Sequence, residues 1–189
     1  MITLFYSPHM TSVDNEAGRA SGHADVPLSA AGVEQAQALG RAYANEAISV
    51  VYCSDLQRAV TTARLAFGER GVPIRPDARL RECDFGAMTQ CSPAQLDEER
   101  HIDEPYPQGE SWRMAAQRVG DCLRDLFPDY DGAMVAVIGH KATKYGIVYW
   151  CDNETLEAII GRAWEWRAVP IWRYRLRADM LERDHERRS

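Results

Sequence analysis

Short runs of apolar residues alternate along the chain with longer segments in which apolar residues recur every three or four positions. The runs predict buried strands at residues 2–6, 50–53, 134–138 and 171–176, with a weaker strand around Ile74. The periodic segments predict helices at 29–46, from Ser54 or Asp55 to near 68, at 111–127 and from 141 to about 150, with a short helix from 154. Ser29 and Ser111 are expected to be N-caps.

This alternation of strands and helices predicts parallel βαβ units. The expected fold class is α/β, a three-layer α/β/α sandwich with a mostly parallel central sheet. One domain is expected over residues 1–178, with a polar excursion at 87–110 over the active site and a charged tail at 179–189.

The net charge of −6, from 22 Lys and Arg against 28 Asp and Glu, argues against nucleic acid as a partner. A small anionic ligand remains compatible, because a few convergent arginines suffice to bind one. The five cysteines form no CxxC pair, so neither a disulfide framework nor a zinc site is expected. The N-terminal residues do not resemble a signal peptide, and no apolar run is long enough to span a membrane. We therefore expect no contact with a membrane and a cytoplasmic location.

Three polar signals follow predicted strands: His9 after the first, Arg58 after the second and His140 after the strand at 134–138. The carboxyl ends of parallel strands open on one crevice, so these side chains should meet there. Two imidazoles and a guanidinium suit phosphoryl transfer, with one neutral imidazole attacking phosphorus. Glu82, in a loop between elements, is the candidate acid for the leaving group. Each residue alone is typical of an ordinary structural position; only the combination indicates a site.

Five blocks of sequence occur in an order typical of one known family. They are His9 with Asn15, Arg19 and the Gly-His-Ala-Asp-Val-Pro-Leu-Ser stretch at 22–29; Ser-Asp-Leu-Gln-Arg-Ala at 54–59; Leu-Arg-Glu-Cys-Asp-Phe-Gly at 80–86; Pro-Gln-Gly-Glu-Ser at 107–111; and Val135 to His140. Over about residues 2–150 the chain resembles the histidine phosphatase (phosphoglycerate mutase-like) superfamily.

The resemblance implies hydrolysis of a small-molecule phosphomonoester through a phosphohistidine, with no metal and no organic cofactor. The implied roles are a nucleophile, His9; a general acid, Glu82; a stabiliser of the transferring phosphoryl group, His140; a phosphate ligand, Arg58; and two further pocket residues, Asn15 and Arg19. The implied partner is a small phosphorylated or other anionic metabolite.

The chain departs from the family pattern beside the nucleophile. Pro8 stands where the family has an arginine that binds phosphate, and Met10 stands where it has a glycine. Proline cannot replace a guanidinium, so Lys141, which follows the second histidine, is the expected substitute cation.

Three other functions therefore stay open: a catalytically weakened binding or regulatory protein, a non-hydrolytic reaction on an anionic substrate with His9 as base, and a phosphoglycerate mutase. A homodimer also stays open, because the tryptophan-rich stretch at 164–172 fits either a pairing surface or packed core.

Overall fold

A five-stranded sheet forms the centre of the molecule in the computed structural model, which describes residues 1–163 and 169–182. The strands are β1 (Ile2–Pro8), β2 (Val50–Cys53), β3 (Ile74–Pro76), β4 (Met134–Gly139) and β5 (Trp172–Leu176). Their order across the sheet is β3-β2-β4-β1-β5, and every pairing is parallel except that of β5 with β1. The mostly parallel sheet is confirmed.

Helices cover both faces of this sheet. They are α1 (Val13–Glu16), α2 (Ala30–Ala42), α3 (Gln57–Phe67), α4 (Trp112–Arg124), α5 (Phe127–Tyr130), α6 (Lys141–Cys151), α7 (Leu156–Ile160) and α8 (Ala178–Glu182). Because successive strand residues point to opposite faces, β1 supplies two cores. Phe5 packs with α2 and α3, whereas Leu4 and Tyr6 pack with α4 and α6. The three-layer prediction is confirmed.

The caps of two helices are as predicted, whereas that of α3 is not. The hydroxyls of Ser29 and Ser111 accept the expected backbone N–H bonds. Neither Ser54 nor Asp55 caps α3, which begins at Gln57. The backbone N–H of Gln57 donates to the carboxylate of Asp25, 32 residues earlier in the chain. A side chain that is distant in sequence, Asp25, thus accepts the N–H bond at the start of α3 that was predicted for Ser54 or Asp55.

The first strand is longer than predicted, since it continues through Ser7 and Pro8. His9 N–H donates to Gly139 on the β4 side, so the nitrogen of Pro8 faces the opposite side. On that side the pairing with β5 has already ended at Tyr6, and the missing N–H of proline therefore breaks no hydrogen bond.

The segment at 87–110 is more deeply buried in the structure than its polar sequence predicts. It contains a short 3₁₀ turn, Pro93–Gln95, and buries Leu96, Ile102 and Tyr106 in the core. His101, a polar residue of the same segment, is also buried and is stacked on Tyr106.

Beyond residue 163 the predicted strand at 171–176 is confirmed as β5. The segment predicted as a charged tail begins within α8, whose Leu181 is buried, and residues 183–189 lie outside the described part. Of the tryptophan-rich stretch, Trp172 is buried in the core, while Trp164 and Trp166 also lie outside the described residues. Among the helices described, none is long and apolar enough to cross a membrane.

Candidate active site

One cleft of about 680 Å³ opens at the carboxyl ends of β1, β2 and β4. It is lined by all seven residues that the sequence singled out: His9, Asn15, Arg19, Arg58, Glu82, His140 and Lys141. Residues as far apart as 9 and 141 converge because parallel strands deliver their ends to the same edge of the sheet.

His9 follows β1 and is oriented by its own backbone. Its Nδ1 lies 2.8 Å from the carbonyl oxygen of Met10, which can only accept, so Nδ1 carries the proton and Nε2 keeps its lone pair. Burial, with the charge of Arg58 adding to it, lowers the pKa of His9 from 6.5 to about 3. The imidazole is therefore neutral at physiological pH and has a free nitrogen for attack.

His140 follows β4 as the N-cap of α6, and its ring centroid lies 4.9 Å from that of His9. Its backbone N–H donates to Thr143 Oγ1, and its carbonyl accepts from the Tyr6 hydroxyl at 2.7 Å. The ring is 1% exposed, and neither of its nitrogens has a hydrogen-bond partner. Burial and the charge of Arg58 lower the pKa of His140 well below its usual value. A buried imidazole with two unused nitrogens can bind a polar group that enters the cleft.

Arg58, in the first turn of α3, is equally buried at 1% exposure. Its two terminal nitrogens donate to the carbonyl oxygens of Gly22 and Ala24, each at 2.8 Å. Its Nε has no partner, and no ion pair of Arg58 occurs among the described residues. The guanidinium thus holds a nearly fixed position, and the nearby carboxylates of Glu82, Asp25 and Asp14 act on it without a direct ion pair.

Glu82 sits against the N-terminus of α6. Its Oε1 accepts the N–H groups of Cys83 and Ala142, each at 2.9 Å, whereas Oε2 accepts only that of Lys141, at 3.2 Å. Oε2 is therefore the oxygen with a lone pair to spare for a proton. The contact also joins the loop carrying Glu82 to the helix that follows His140.

A second arginine, Arg118 of α4, fixes the Glu82 loop from behind. Its guanidinium donates to the carbonyl oxygens of Arg79, Arg81 and Glu82 and pairs with the carboxylate of Glu110. Arg118 was not among the residues predicted from the sequence. Glu110 precedes Ser111, the N-cap of α4, and so lies outside the helix that carries Arg118, and helical spacing gives no signal for their pairing.

His23, which the sequence did not single out, supports the same loop. Its Nε2 donates to the carbonyl oxygen of Glu82 at 2.8 Å. Its other nitrogen lies 3.6 Å from the Asp84 carboxylate. Both contacts are distant in sequence, so no local pattern indicated them.

The ammonium of Lys141 is committed to a carboxylate. Its Nζ lies 2.6 Å from Oε1 of Glu98 and 5.3 Å from the ring centroid of Tyr145. Although burial opposes it, the charge of Glu98 raises the pKa of Lys141. The ion pair with Glu98, which the sequence did not indicate, argues against Lys141 as a ready substitute for a missing guanidinium.

Asn15 and Arg19 are also engaged with neighbours. The Oδ1 of Asn15 accepts from the backbone and the hydroxyl of Ser12 in a capping box. The guanidinium of Arg19 pairs at 2.8 Å with Asp14, whose carboxylate is buried and also receives Gln90. Both residues line the cleft from its α1 side.

The two departures from the family pattern have different consequences. Pro8 lines the cleft and brings no charge. Met10 is buried in the core between the sheet, α2 and α3, and its N–H donates to Thr62 Oγ1. Within the described residues no group of three or more His, Cys, Asp or Glu side chains has the arrangement of a metal site.

A parallel sheet between two helical layers, with paired histidines at the carboxyl ends of β1 and β4, defines a phosphoglycerate mutase-like α/β protein. The profile of the histidine phosphatase superfamily (branch 1) matches residues 9–170, so the chain belongs to that superfamily.

Comparison with curated proteins gives a partial match. The chain is 31% identical over 113 residues to a protein described as "Probable phosphoglycerate mutase GpmB" from Yersinia pestis (strain Pestoides F). That match covers 60% of this chain and 48% of the relative, so the chain spans about half the length of the curated relatives it matches.

Comparison with solved structures extends over most of the chain. YhfR of Bacillus stearothermophilus has a TM-score of 0.77 at 22% identity, covering 88% of this chain and 87% of its own, and this likeness concerns the fold alone. The alpha-ribazole phosphatase of Shigella flexneri has a TM-score of 0.72 at 26% identity, covering 84% and 83%. The mycobacterial glucosyl-3-phosphoglycerate phosphatase with VO3 has a TM-score of 0.74 at 24% identity, covering 82% and 84%.

Proposed function

We propose that this protein is a phosphatase that hydrolyses a small-molecule phosphomonoester through a phosphohistidine on His9. The observation that carries the proposal is the pairing of a neutral His9, whose Nε2 is free, with His140 at 4.9 Å between ring centroids. The buried guanidinium of Arg58 lines the same cleft and supplies a fixed positive charge for the transferring phosphoryl group.

In the first proposed step, Nε2 of His9 forms a bond to phosphorus while the bond from phosphorus to the ester oxygen breaks. The leaving oxygen takes a proton from Glu82, most directly from Oε2. The Nδ1 proton stays on the ring and continues to donate to Met10. The developing charge on the phosphoryl oxygens is stabilised by Arg58 and by the ring N–H of His140, since the backbone N–H of His140 already donates to Thr143.

In the second proposed step, water attacks the phosphohistidine. The oxygen of water bonds to phosphorus, the bond from Nε2 to phosphorus breaks, and the Glu82 carboxylate takes the proton from water. Inorganic phosphate leaves, and His9 and Glu82 return to their starting forms.

The rest of the cleft wall favours an ester whose leaving group has apolar surface. Apolar side chains that line it away from the two histidines are Ala38, Leu39, Phe85, Leu96, Val169, Pro170 and Trp172. Three other large aromatic residues of the chain, Trp112, Tyr106 and Trp150, are buried in the core and do not line the cleft. The proposed substrate is thus a small phosphorylated metabolite with an apolar portion.

The low pKa of His9 bears on the rival in which His9 removes a proton from a substrate. A base whose conjugate acid has a pKa of about 3 is a weak base at neutral pH. A low pKa also weakens this nitrogen as a nucleophile, so the nucleophilic role is supported by geometry, namely the free Nε2 of His9 beside His140 and Arg58 in one cleft.

The test is detection of the phosphoenzyme. Wild-type protein is mixed with p-nitrophenyl phosphate, quenched in alkali and analysed for phosphohistidine by mass spectrometry. We expect a phosphoryl group on His9, and His9→Ala should lose both the label and essentially all release of inorganic phosphate. His101→Asn, which alters a buried histidine outside the cleft and keeps a donor for Glu104, is the matched control and should retain both.

Turnover by His9→Ala above a few per cent of wild type would disprove the nucleophilic role. A phosphoryl group passed to a second hydroxyl instead of to water would indicate a mutase.

A further inference from the structure

Among the described residues that line the cleft, three are cations and two of these are already paired. Arg19 is held by Asp14 at 2.8 Å, and Lys141 is held by Glu98 at 2.6 Å. Arg58 is the third, and its terminal nitrogens contact only backbone carbonyl oxygens. Arg58 is therefore the one cation lining this part of the cleft that has no carboxylate in direct contact among the described residues.

The remaining groups around the reacting position add no positive charge. His9 and His140 are neutral, and Pro8 has no ionisable group. Glu82 contributes a negative charge when ionised and none when it bears the proton that the leaving group needs. In its reactive form, the described site balances a single negative charge.

The charge of a phosphate ester depends on its form. A monoester carries two negative charges above its second pKa of about 6 and one below it, whereas a diester carries one at any physiological pH. In a buried site, a charge without a partner is costly, and removing it from water is repaid only by a compensating group. A second negative charge on the phosphoryl group would face no further cation without a carboxylate partner among the described residues that line the cleft.

We propose that the cleft selects phosphoryl esters in their singly charged form, because Asp14 and Glu98 neutralise two of its three described cations and Pro8 supplies none. This inference rests on the proposed function and specifies the charge state of its substrate. Glu98 is then a residue that determines specificity: by pairing with Lys141, it keeps a second positive charge from the phosphoryl group.

The first experiment measures binding without catalysis. Phenylphosphonate, doubly charged at about pH 8.5, and methyl phenylphosphonate, singly charged, share a phenyl group and a phosphorus–carbon bond that hydrolysis leaves intact. By isothermal titration calorimetry, wild-type protein should bind the singly charged probe about tenfold more tightly or better. Tighter binding of phenylphosphonate would overturn the inference. If a phosphohistidine still formed on His9, the proposed function would stand without it.

A charge-neutralising variant provides the second measurement. Glu98→Gln leaves the ammonium of Lys141 in the cleft wall without its carboxylate, so the preference should shift toward phenylphosphonate by about five- to tenfold. Glu104→Gln is the matched control, because it makes the same change in an exposed pair with Arg100 outside the cleft. It should leave the ratio of the two affinities unchanged. Equal ratios in Glu98→Gln and wild type would contradict the role given to Glu98. Pro8→Arg adds a larger charge but also frees the backbone that aims His9, so Glu98→Gln is the cleaner change.

The third measurement distinguishes the two sources of a single charge. Nitrophenolate leaves without a proton, so kcat/KM for nitrophenyl esters does not require proton donation by Glu82 and reports the charge of the substrate more directly. If the substrate is a protonated monoester, kcat/KM for p-nitrophenyl phosphate should fall about tenfold per pH unit above about pH 6. If it is a diester, bis(p-nitrophenyl) phosphate should be hydrolysed at a rate that stays level across that range. A monoester rate that rises through pH 6, with no diester hydrolysis, would refute the selection of single charge.

Discussion

At the scale of single residues, the site depends on which atoms are left without partners. His9 is fixed at Nδ1 and free at Nε2, both nitrogens of His140 are unused, and Nε of Arg58 is unused. Buried polar atoms are ordinarily hydrogen-bonded, so this concentration of unpartnered atoms at one cleft indicates that a polar ligand completes the site. Glu82 is the opposite case, since both of its carboxylate oxygens already accept backbone N–H groups.

Replacement of Glu82 by glutamine tests its role as the acid. An alkyl phosphate releases a strongly basic alkoxide, so its kcat/KM should fall by about 10²–10⁴-fold. The kcat/KM for p-nitrophenyl phosphate, whose leaving group needs no proton, should fall by about tenfold or less, because kcat/KM reports formation of the phosphohistidine and not its hydrolysis, in which Glu82 also takes part. Steady-state kinetics on the two esters, with the affinity for inorganic phosphate as the control, gives the answer. Equal losses on both esters would identify Glu82 as a residue that positions α6 instead.

At the scale of elements, the position of α6 decides where His140 and the partners of Glu82 lie. This helix packs closely on α4 because glycines face the contact. A Cβ on Gly120 would lie 2.3 Å from Nε1 of Trp150, the atom that donates to the carbonyl oxygen of Ala116. The close packing of the two helices therefore sets the geometry of the site from its far side.

The same substitution at two glycines should have opposite effects on stability. Gly120→Ala forces Trp150 to move and should lower the free energy of unfolding by about 1–3 kcal/mol. Gly68→Ala, at the end of α3 with helical φ and no atom within 4 Å of the added Cβ, should raise it by about 0.4–1 kcal/mol. Urea unfolding followed by circular dichroism measures both. A Gly120→Ala protein as stable as wild type would show that α4 and α6 can separate at little cost.

At the scale of the whole molecule, the fold holds two buried histidines neutral. Burial and the charge of Arg58 lower the pKa of both, to about 3 for His9. In the unfolded chain a histidine has a pKa near 6.5, so the unfolded state binds protons that the folded state does not. Protonation therefore favours unfolding, and stability is complete above the unfolded pKa.

Stability should accordingly fall as the pH drops below about 6.5, before most carboxylates titrate. Each neutral buried histidine contributes a slope of up to about 1.4 kcal/mol per pH unit in that range. Urea unfolding at several values between about pH 7 and pH 4.5 measures the slope, and His9→Gln should reduce it by about half. A wild-type stability that stays level over this interval would contradict the neutral, buried state of the pair.

Much of the architecture could be predicted because local patterns decide it. Side-chain periodicity indicates which segments are buried strands and which are helices, and their alternation predicts the three layers. Capping chemistry within a few residues predicts the N-caps at Ser29 and Ser111. The convergence of His9, Arg58 and His140 could also be predicted, because the carboxyl ends of parallel strands lie at the same edge of the sheet irrespective of the connecting loops.

The electrostatics of the cleft were decided by tertiary structure. The sequence identified Lys141 as a cation beside His140, but only the folded chain brings Glu98 to its ammonium, 43 residues away. The cap of α3 by Asp25 and the support of the Glu82 loop by Arg118 have the same origin. Periodicity and capping depend on residues within one or two helical turns in the sequence. Ion pairing depends instead on which charged groups the tertiary structure brings within a few ångströms. For this protein the sequence by itself therefore determined which residues reach the cleft, and only the tertiary structure decided which of their charges remain free there.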